Sequence, residues 1–276
     1  MTENKRSIFD PEKAEEMYRL KLQGEYFTKV TGLIEGLDPR GITDVVDLAC
    51  GTGDWLINLM ATYPHMRGVG VDISERMLSS CQAQSIDQPN IAFQKIDILK
   101  PLLEFDDNSF DLVNARLLLA VETMNGWPQL FREVYRILRP GGTFRLVESD
   151  VAGQSNSPAL DQFHHLEQRL LFDKEKIPTP YTLGITPYFQ PMLTEAGFHH
   201  IQHQSWLNDV SWSHKEGNKF ASDIYIELSL RLRPLLTPTY IAPEAYDQLR
   251  KEMEHDLRHQ FVSAAYIWGG ISTKDE

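Results

Sequence analysis

Cysteine is scarce in this chain: Cys50 and Cys81 are the only two among 276 residues. So few thiols build no disulfide framework, and a reducing, cytoplasmic setting is the expectation. Cys50 lies inside a glycine turn, where it reads as a small packing residue, because a reactive thiol needs a positive neighbourhood. Basic clusters are missing too. The chain has 39 acidic against 27 basic residues and a net charge of −12, with no long basic run. Such a surface repels phosphate backbones and disfavours a nucleic-acid partner. No apolar run is long enough to suggest a membrane span. The opening Met1-Thr2-Glu3-Asn4-Lys5-Arg6 is polar and has no apolar signal core. Metal motifs fail as well. His255 and His259 have chelating i,i+4 spacing, but the H-E-x-x-H pattern is absent and the helix is densely charged, so they read as a solvated face. His199 and His203 share one face of a strand at a separation too long for a tight site. No metal is expected. Arg231 and Arg233 can bind an anion but read better as helix-end surface residues.

What is present is concentrated in residues 45–55, Val-Val-Asp-Leu-Ala-Cys-Gly-Thr-Gly-Asp-Trp. Val45, Val46 and Leu48 predict a buried strand. Gly51 and Gly53 turn the main chain and let it approach a ligand without a Cβ in the way. A helix begins near Asp54, so its free N–H groups face the same ligand. Val69-Gly70-Val71-Asp72-Ile73 then ends a second strand in a carboxylate. Asp72 lies about 20 residues past the turn, the spacing at which an acid accepts ribose hydroxyls. Turn and acid together predict a nucleoside ligand.

A dinucleotide fingerprint requires a third glycine where this chain has Leu56. Asp47, on the strand before the turn, would repel a pyrophosphate and suits an amino group. The stretch resembles motif I of the class I S-adenosylmethionine-dependent methyltransferases, written acid–apolar–Gly-x-Gly-x-Gly. Ala49 replaces the first glycine, and Gly51 and Gly53 match the others. The resemblance extends over residues 44–148. Asp72 and Ile73 match the ribose-binding segment. Ser74 caps a helix on which Met77 would cover the adenine. Asp97-Ile98, after a strand at Ile91–Ile96, match the adenine-binding position. Phe110–Asn114 match the fourth strand, and Asn114 joins the cofactor contacts. Trp127–Leu138 predicts a helix broken by Arg139-Pro140-Gly141-Gly142, with the fifth strand at Thr143–Val147.

The resemblance implies an α/β fold: a Rossmann-like, seven-stranded, mostly parallel sheet with helices on both faces and extra helical lid segments. Residues 11–37 predict two helices broken near Gly24, and residues 1–40 form the lid. Tyr18 and Arg19 would meet the methionine carboxylate; the plainer reading is a packing tyrosine and a surface arginine. Residues 41–276 form the methyltransferase domain, with helical insertions at about 150–185 and 213–260 building the acceptor pocket. Helices are expected at Leu160–Phe172, from Thr186 to Ala196, at 215–233 and at 243–260. Strands follow at Phe198–Trp206 and Ser263–Ser272, the last antiparallel to its neighbour.

Methyl transfer from a sulfonium needs alignment and a dry site more than it needs a catalyst. A base is required only for a protonated acceptor. Glu148 and Asp150 sit just past the fifth strand and are the first candidates; His164 follows. His164 and His165 are adjacent on a helix, so at most one faces inward. The inserted segments are crowded with aromatics, from Phe163 to Tyr225. They suit an apolar or aromatic acceptor. The Asn-Pro-Pro-Tyr motif and the nucleophilic Cys-Pro of nucleic-acid methylases are absent; Asn114-Ala115-Arg116-Leu117 stands there. The reading is therefore methyl transfer from S-adenosylmethionine to the O, N or C atom of a small molecule, leaving S-adenosylhomocysteine. Two alternatives stay open: an S-adenosylmethionine-binding enzyme of this fold that catalyses another reaction such as cyclisation, and a nicotinamide dehydrogenase, against which Leu56 and Asp47 count. A non-catalytic cofactor sensor is a third, weaker one.

Overall fold

The computed structural model describes residues 8–100, 103–150, 154–181, 184–259 and 261–275. The polar opening residues 1–6 and Gln260 lie outside them. Strand β1, Asp44–Leu48, is central. Val45, Val46 and Leu48 are fully buried, as a parallel strand covered on both faces demands. The strands β2 (Arg67–Asp72) and β4 (Phe110–Arg116) flank it in parallel. Outside them lie β3 (Ile91–Lys95) and β5 (Leu138–Ser149), again parallel. Helices α1 (Ala14–Thr31), α2 (Asp54–Thr62), α3 (Glu75–Gln84) and α4 (Trp127–Ile137) belong with these strands.

The chain divides into two compact units. The first holds the described residues through Glu148 together with Pro187–Gln204 and the stretch from Trp268 onward; the second holds Ser149–Thr186 and Ser205–Ile267. The strand order is β3-β2-β1-β4-β5-β8, where β8 is Ser263–Thr273 and belongs to the first unit from Trp268 onward. Its end is held to the start of β5: Gly141 N–H donates to Lys274 O at 2.9 Å and Lys274 N–H to Gly142 O at 3.0 Å. One side of the core joins Trp55, Leu56, Leu59 and Met60 of α2 to Ile34, Ile42, Val45 and Leu112. Another is aromatic. Trp127 and Phe131 of α4 meet Phe144 of β5 and Phe189 of α6 (Phe189–Glu195), with ring centroids 4.7 to 5.8 Å apart.

Two local expectations are corrected here. Helix α1 is continuous through Gly24 rather than broken there. That glycine serves close packing, since a Cβ would come within 3.1 Å of Asp54 Oδ2. The helix ends at Gly32, whose φ is +64°. The fifth strand also begins earlier than Thr143. Arg139-Pro140-Gly141-Gly142 lies inside β5, and the extra residues are absorbed by a register shift opposite Phe110 and Leu112.

The second unit contains helices α5 (Pro158–Asp173), α7 (Lys215–Leu236) and α8 (Pro243–Arg258). Ser157 caps α5, its Oγ accepting the Leu160 N–H at 3.0 Å. Tyr246 of α8 donates its hydroxyl to Ser229 O of α7 at 2.6 Å, and Arg233 pairs with Asp247 at 2.7 Å. A two-residue strand β6, Gln154–Ser155, runs antiparallel to the start of β8. It raises the total to eight strands where seven were expected, and it is too short to leave a periodic signal. β7, His200–Asp209, pairs with β8. Just beyond it, Val210 N–H donates to Ser263 O and Trp212 N–H to Phe261 O. One number rises as the other falls, so the chains run antiparallel, as predicted for the last strand. Among the described residues, no helix is long and apolar enough to cross a membrane.

Phe131 is fully buried at the centre of the aromatic cluster. Phe131→Ala is expected to cost about 3–5 kcal/mol, read as a lowered urea midpoint. A loss under about 1 kcal/mol would mean that the cluster is not close-packed.

Candidate cofactor site

The turn after β1 is built from left-handed residues. Ala49, Gly51 and Gly53 have φ of +52°, +56° and +76°. Cys50 N–H donates to Val71 O of β2 at 2.8 Å, and Gly53 N–H closes the turn on Cys50 O at 3.0 Å. Gly53 is the N-cap of α2, and a side chain there would strike Cys81 Sγ at 2.9 Å. A Cβ on Gly51 would meet no atom within 4 Å, so this glycine borders open space. Thr52 Oγ1 donates to Asp54 in the first turn of α2. The two thiols pack against the turn from behind. Cys81 Sγ lies 3.3 Å from Gly51 O, and contact with Cys81 together with burial pushes the Cys50 thiol well up, so it stays protonated. This agrees with the packing role read for Cys50.

Asp72 ends β2 beside the turn. Its Oδ2 accepts the Gly51 N–H and its Oδ1 the Ser74 N–H, both at 2.9 Å. Burial raises its pKa in spite of these bonds. One carboxylate thus fixes the glycine turn and the start of α3 together. Ser74 Oγ accepts the Met77 N–H at 3.2 Å and donates to Pro11 O at 3.2 Å. Ile8 N–H reaches Ala120 O, beyond β4, at 3.4 Å. Residues 8–11 therefore run along the carboxyl ends of the strands, and the charge of Glu12 is felt at Asp72. On α1, Tyr18 is exposed, while Arg19 is buried, bonded to Glu16 at 2.7 and 3.0 Å and stacked over Phe9. Of that pair, only Tyr18 is left to meet a ligand.

A polar ladder crosses the sheet at the same edge. Asp47 of β1 stands opposite Asn114 of β4, and Asn114 opposite Arg145 of β5. Asn114 Nδ2 donates to Asp47 Oδ1 at 2.7 Å, and Arg145 Nη1 donates to Asn114 Oδ1 at 2.8 Å. Arg145 Nη2 then reaches Thr31 O and Gly32 O at the end of α1, at 3.3 and 3.2 Å. Arg116, two residues along β4, donates to Thr28 Oγ1 at 2.9 Å. All three rungs of the ladder are buried. Burial pushes Asp47 up to about 6, opposed by Arg116 and the Asn114 bond. Burial, with Arg116 nearby, lowers Arg145 to about 9. Asp47 Oδ2 accepts no hydrogen bond among the described residues. Asp47 and Asn114 are among the residues expected from the sequence; the two arginines are not. The signal was there: an arginine inside the apolar run Thr143–Val147 needs a buried partner.

The remaining expected cofactor residues fall around this edge. Ile73 is half exposed, whereas Met77 is fully buried. Asp97, past β3, caps the Leu99 N–H at 3.0 Å, and Ile98 beside it is buried. The base candidates separate. Glu148 is buried in the first unit, its Oε2 accepting the Leu119 N–H at 3.1 Å. Asp150 lies in the second unit and closes a loop: it accepts the Ile185 N–H at 3.0 Å, the Thr186 N–H at 3.3 Å and the Thr186 hydroxyl at 2.6 Å. His164, also in the second unit, is buried while His165 is exposed, so only one of the two faces inward. Burial lowers His164 to about 4 and holds it neutral. His255 and His259 stack with centroids 4.4 Å apart, and no group of three metal-binding side chains occurs among the described residues.

Residues 45–142 match the family described as Methyltransferase domain. The glycine turn and Asp72 lie within this matched stretch, which is similar to the methyltransferase domains of that family. It is 31% identical over 163 residues to the secondary metabolism regulator laeA of Monascus pilosus, an alignment covering 58% of this chain and 41% of that protein. The chain thus spans well under half of that relative. Against the demethylmenaquinone methyltransferase of Staphylococcus aureus strain JH9 it is 28% identical over 196 residues, 66% of this chain and 78% of the other. In fold it resembles Haemonchus contortus phosphoethanolamine N-methyltransferase 2, with a TM-score of 0.59 at 16% identity over 100% of this chain and 61% of that one.

Ala49 holds a backbone conformation that favours glycine. Ala49→Gly is expected to leave the turn intact and to raise stability by up to about 1 kcal/mol in urea unfolding. A lowered midpoint would show that the alanine methyl contributes packing that outweighs its strain.

Proposed function

We propose that the protein transfers the methyl group of S-adenosylmethionine to a small organic acceptor, at an O, N or C atom. The observation that carries this reading is the joint placement of Asp72, bonded to the glycine turn, and Asp47, whose Oδ2 is open at the same edge. S-adenosylmethionine supplies an activated methyl group on a sulfonium. Asp72 would accept the ribose hydroxyls with the lone pairs left after its two backbone bonds. Asp47 would receive the amino group, a cation that compensates a buried carboxylate. Ala49, Gly51 and Gly53 would line the open space with backbone. Ile73 and Met77 would flank the adenine, Asp97 and Ile98 would meet its edge, and Asn114 would hold Asp47 in place. Tyr18 would reach the ligand from α1. Glu148 is the base we propose in the first unit where the acceptor carries a proton; Asp150 and His164 are the others.

The same residues speak against a dinucleotide. Leu56 is fully buried in the α2 core, so the third glycine's position is a packing site. The acceptor we propose is small and apolar or aromatic, in keeping with the aromatic side chains of the inserted segments. The relative named for demethylmenaquinone supports an acceptor of that kind.

Calorimetric titration with S-adenosylmethionine, S-adenosylhomocysteine and NAD in parallel tests the cofactor, and transfer of labelled methyl to an acceptor panel tests the reaction. Binding of both adenosyl compounds without NAD supports the reading; binding of NAD alone sinks it. Asp72→Ala is expected to weaken S-adenosylhomocysteine binding by about 1–3 kcal/mol, the value of hydrogen bonds to a charged group. Unchanged affinity would remove Asp72 from the site.

Asp47 gives a pH signature. Its folded pKa of about 6 exceeds its ordinary 3.8, so the folded state binds more protons than the unfolded one between these values. Its contribution to stability is therefore fullest below that window and is lost as pH rises through it. Ligand affinity runs the other way, because only the ionised carboxylate attracts the amino group. S-adenosylhomocysteine affinity is expected to rise between pH 5 and pH 7.5, with the midpoint about 6 that Asp47 sets. Asp47→Asn should flatten that rise while stabilising the free protein at neutral pH. An unaltered pH profile in the variant would assign the titration elsewhere.

A further inference from the structure

The second unit holds a buried polar centre on α5, of which the methyl-transfer reading uses His164 only as its last base candidate. His164 and Glu167 stand one turn apart on α5, and they are 3% and 9% exposed. His164 Nε2 has no hydrogen-bond partner. Glu167 has neither a hydrogen bond nor an ion pair among the described residues, and burial alone pushes it up to about 8. The ring of Tyr225, on α7, meets that of His164 edge-on at 5.3 Å. The charge of Glu167 is felt by Tyr225 and by Tyr246 of α8. Buried polar groups are nearly always partnered, and an orphaned imidazole nitrogen one turn from a buried carboxyl group calls for a reason.

Their chemistry selects the partner. A neutral imidazole nitrogen without a partner accepts a hydrogen bond, and Glu167 accepts as well once a bound cation favours its ionised form. Among the described residues no cation acts on Glu167. An anion would face a carboxyl group with nothing to offset it. A protonated amine supplies both the missing donors and the missing charge, and the aromatic rings alongside favour a cation further. Tyr225 is only partly buried, so its ring borders solvent.

We propose that Glu167 and His164 form a binding site for the ammonium group of a small organic amine, with the Tyr225 ring as one wall. The site lies within the second unit and does not rest on the methyl-transfer reading. Binding is therefore measured on the full chain without cofactor, so that either idea can fail alone. The probe is n-butylammonium chloride, compared at equal ionic strength with n-butanol, by ligand-observed NMR and thermal shift. The amine is expected to bind saturably and at least about tenfold more tightly than the alcohol, as a charge-assisted bond predicts. Glu167→Gln, close in shape to the protonated acid, should abolish that preference with the circular dichroism spectrum unchanged. His164→Leu should weaken the amine about threefold or more by removing one acceptor. Equal binding of amine and alcohol, no saturable binding of the amine, or a preference that survives Glu167→Gln would each overturn the proposal. If Glu167→Gln does not fold, the amine–alcohol comparison on the unsubstituted protein decides.

Discussion

The carboxylate of Asp47 is buried in the middle of a parallel sheet, and much of the first unit is arranged around that fact. An unpaired charge in such a place is costly enough that the chain must supply a partner or the group must give up its charge. Here it does some of each. Asn114 and Arg145 stand in register on the next two strands and pass hydrogen bonds from one to the next. The ladder ends on the carbonyls of Thr31 and Gly32, where the helix dipole favours a cation. The bonds that orient Asp47 therefore also dock α1 against the sheet, and Arg116 adds a second tie through Thr28. A change at Arg145 would be felt at both ends.

The compensation is incomplete. One oxygen of Asp47 is left open, and its pKa stays raised although two arginines act on it. A fold selected for stability alone would close that oxygen or replace the acid, since buried ion pairs seldom outdo apolar packing. Stability is commonly given up at functional sites. Ala49 shows the same tendency in the backbone, holding a left-handed conformation one residue past the strand. Both costs fall on the few residues between β1 and α2, and Asp72 holds the turn in place from the neighbouring strand.

Much of this was legible in the sequence because the signals are local. A buried strand, two glycines and a helix start within eleven residues leave few backbone paths, and an acid at the next strand's end has one obvious place to go. The strands β1 to β4 and the inserted helices follow from periodicity in the same way. What stayed hidden depends on long-range partners. Gly24 looked like a helix breaker because its role is to admit Asp54, a contact thirty residues away. Pro140 and the two glycines after it looked like a boundary, yet a bulge opposite Phe110 carries them inside β5. β6 exists only because two residues meet the start of β8. Arg145 was passed over because its partner Asn114 is distant in the chain, although the two stand side by side across the sheet.

The buried groups of α5 were hidden for a different reason. A helix with charged residues is normally read as having one wet face, and Glu167 would be placed there. Its neighbours Leu160, Phe163, Leu166, Leu170 and Leu171 are all buried, and so are His164 and Gln168, which confines water to a strip through Asp161, His165 and Arg169. The polar groups on the covered side of such a helix need partners. In the first unit every rung of the ladder has such a partner, and only Asp47 Oδ2 is left over. In the second, His164 Nε2 has none among the described residues. Among the described residues, each unit thus carries a buried acceptor that its own donors leave unmet.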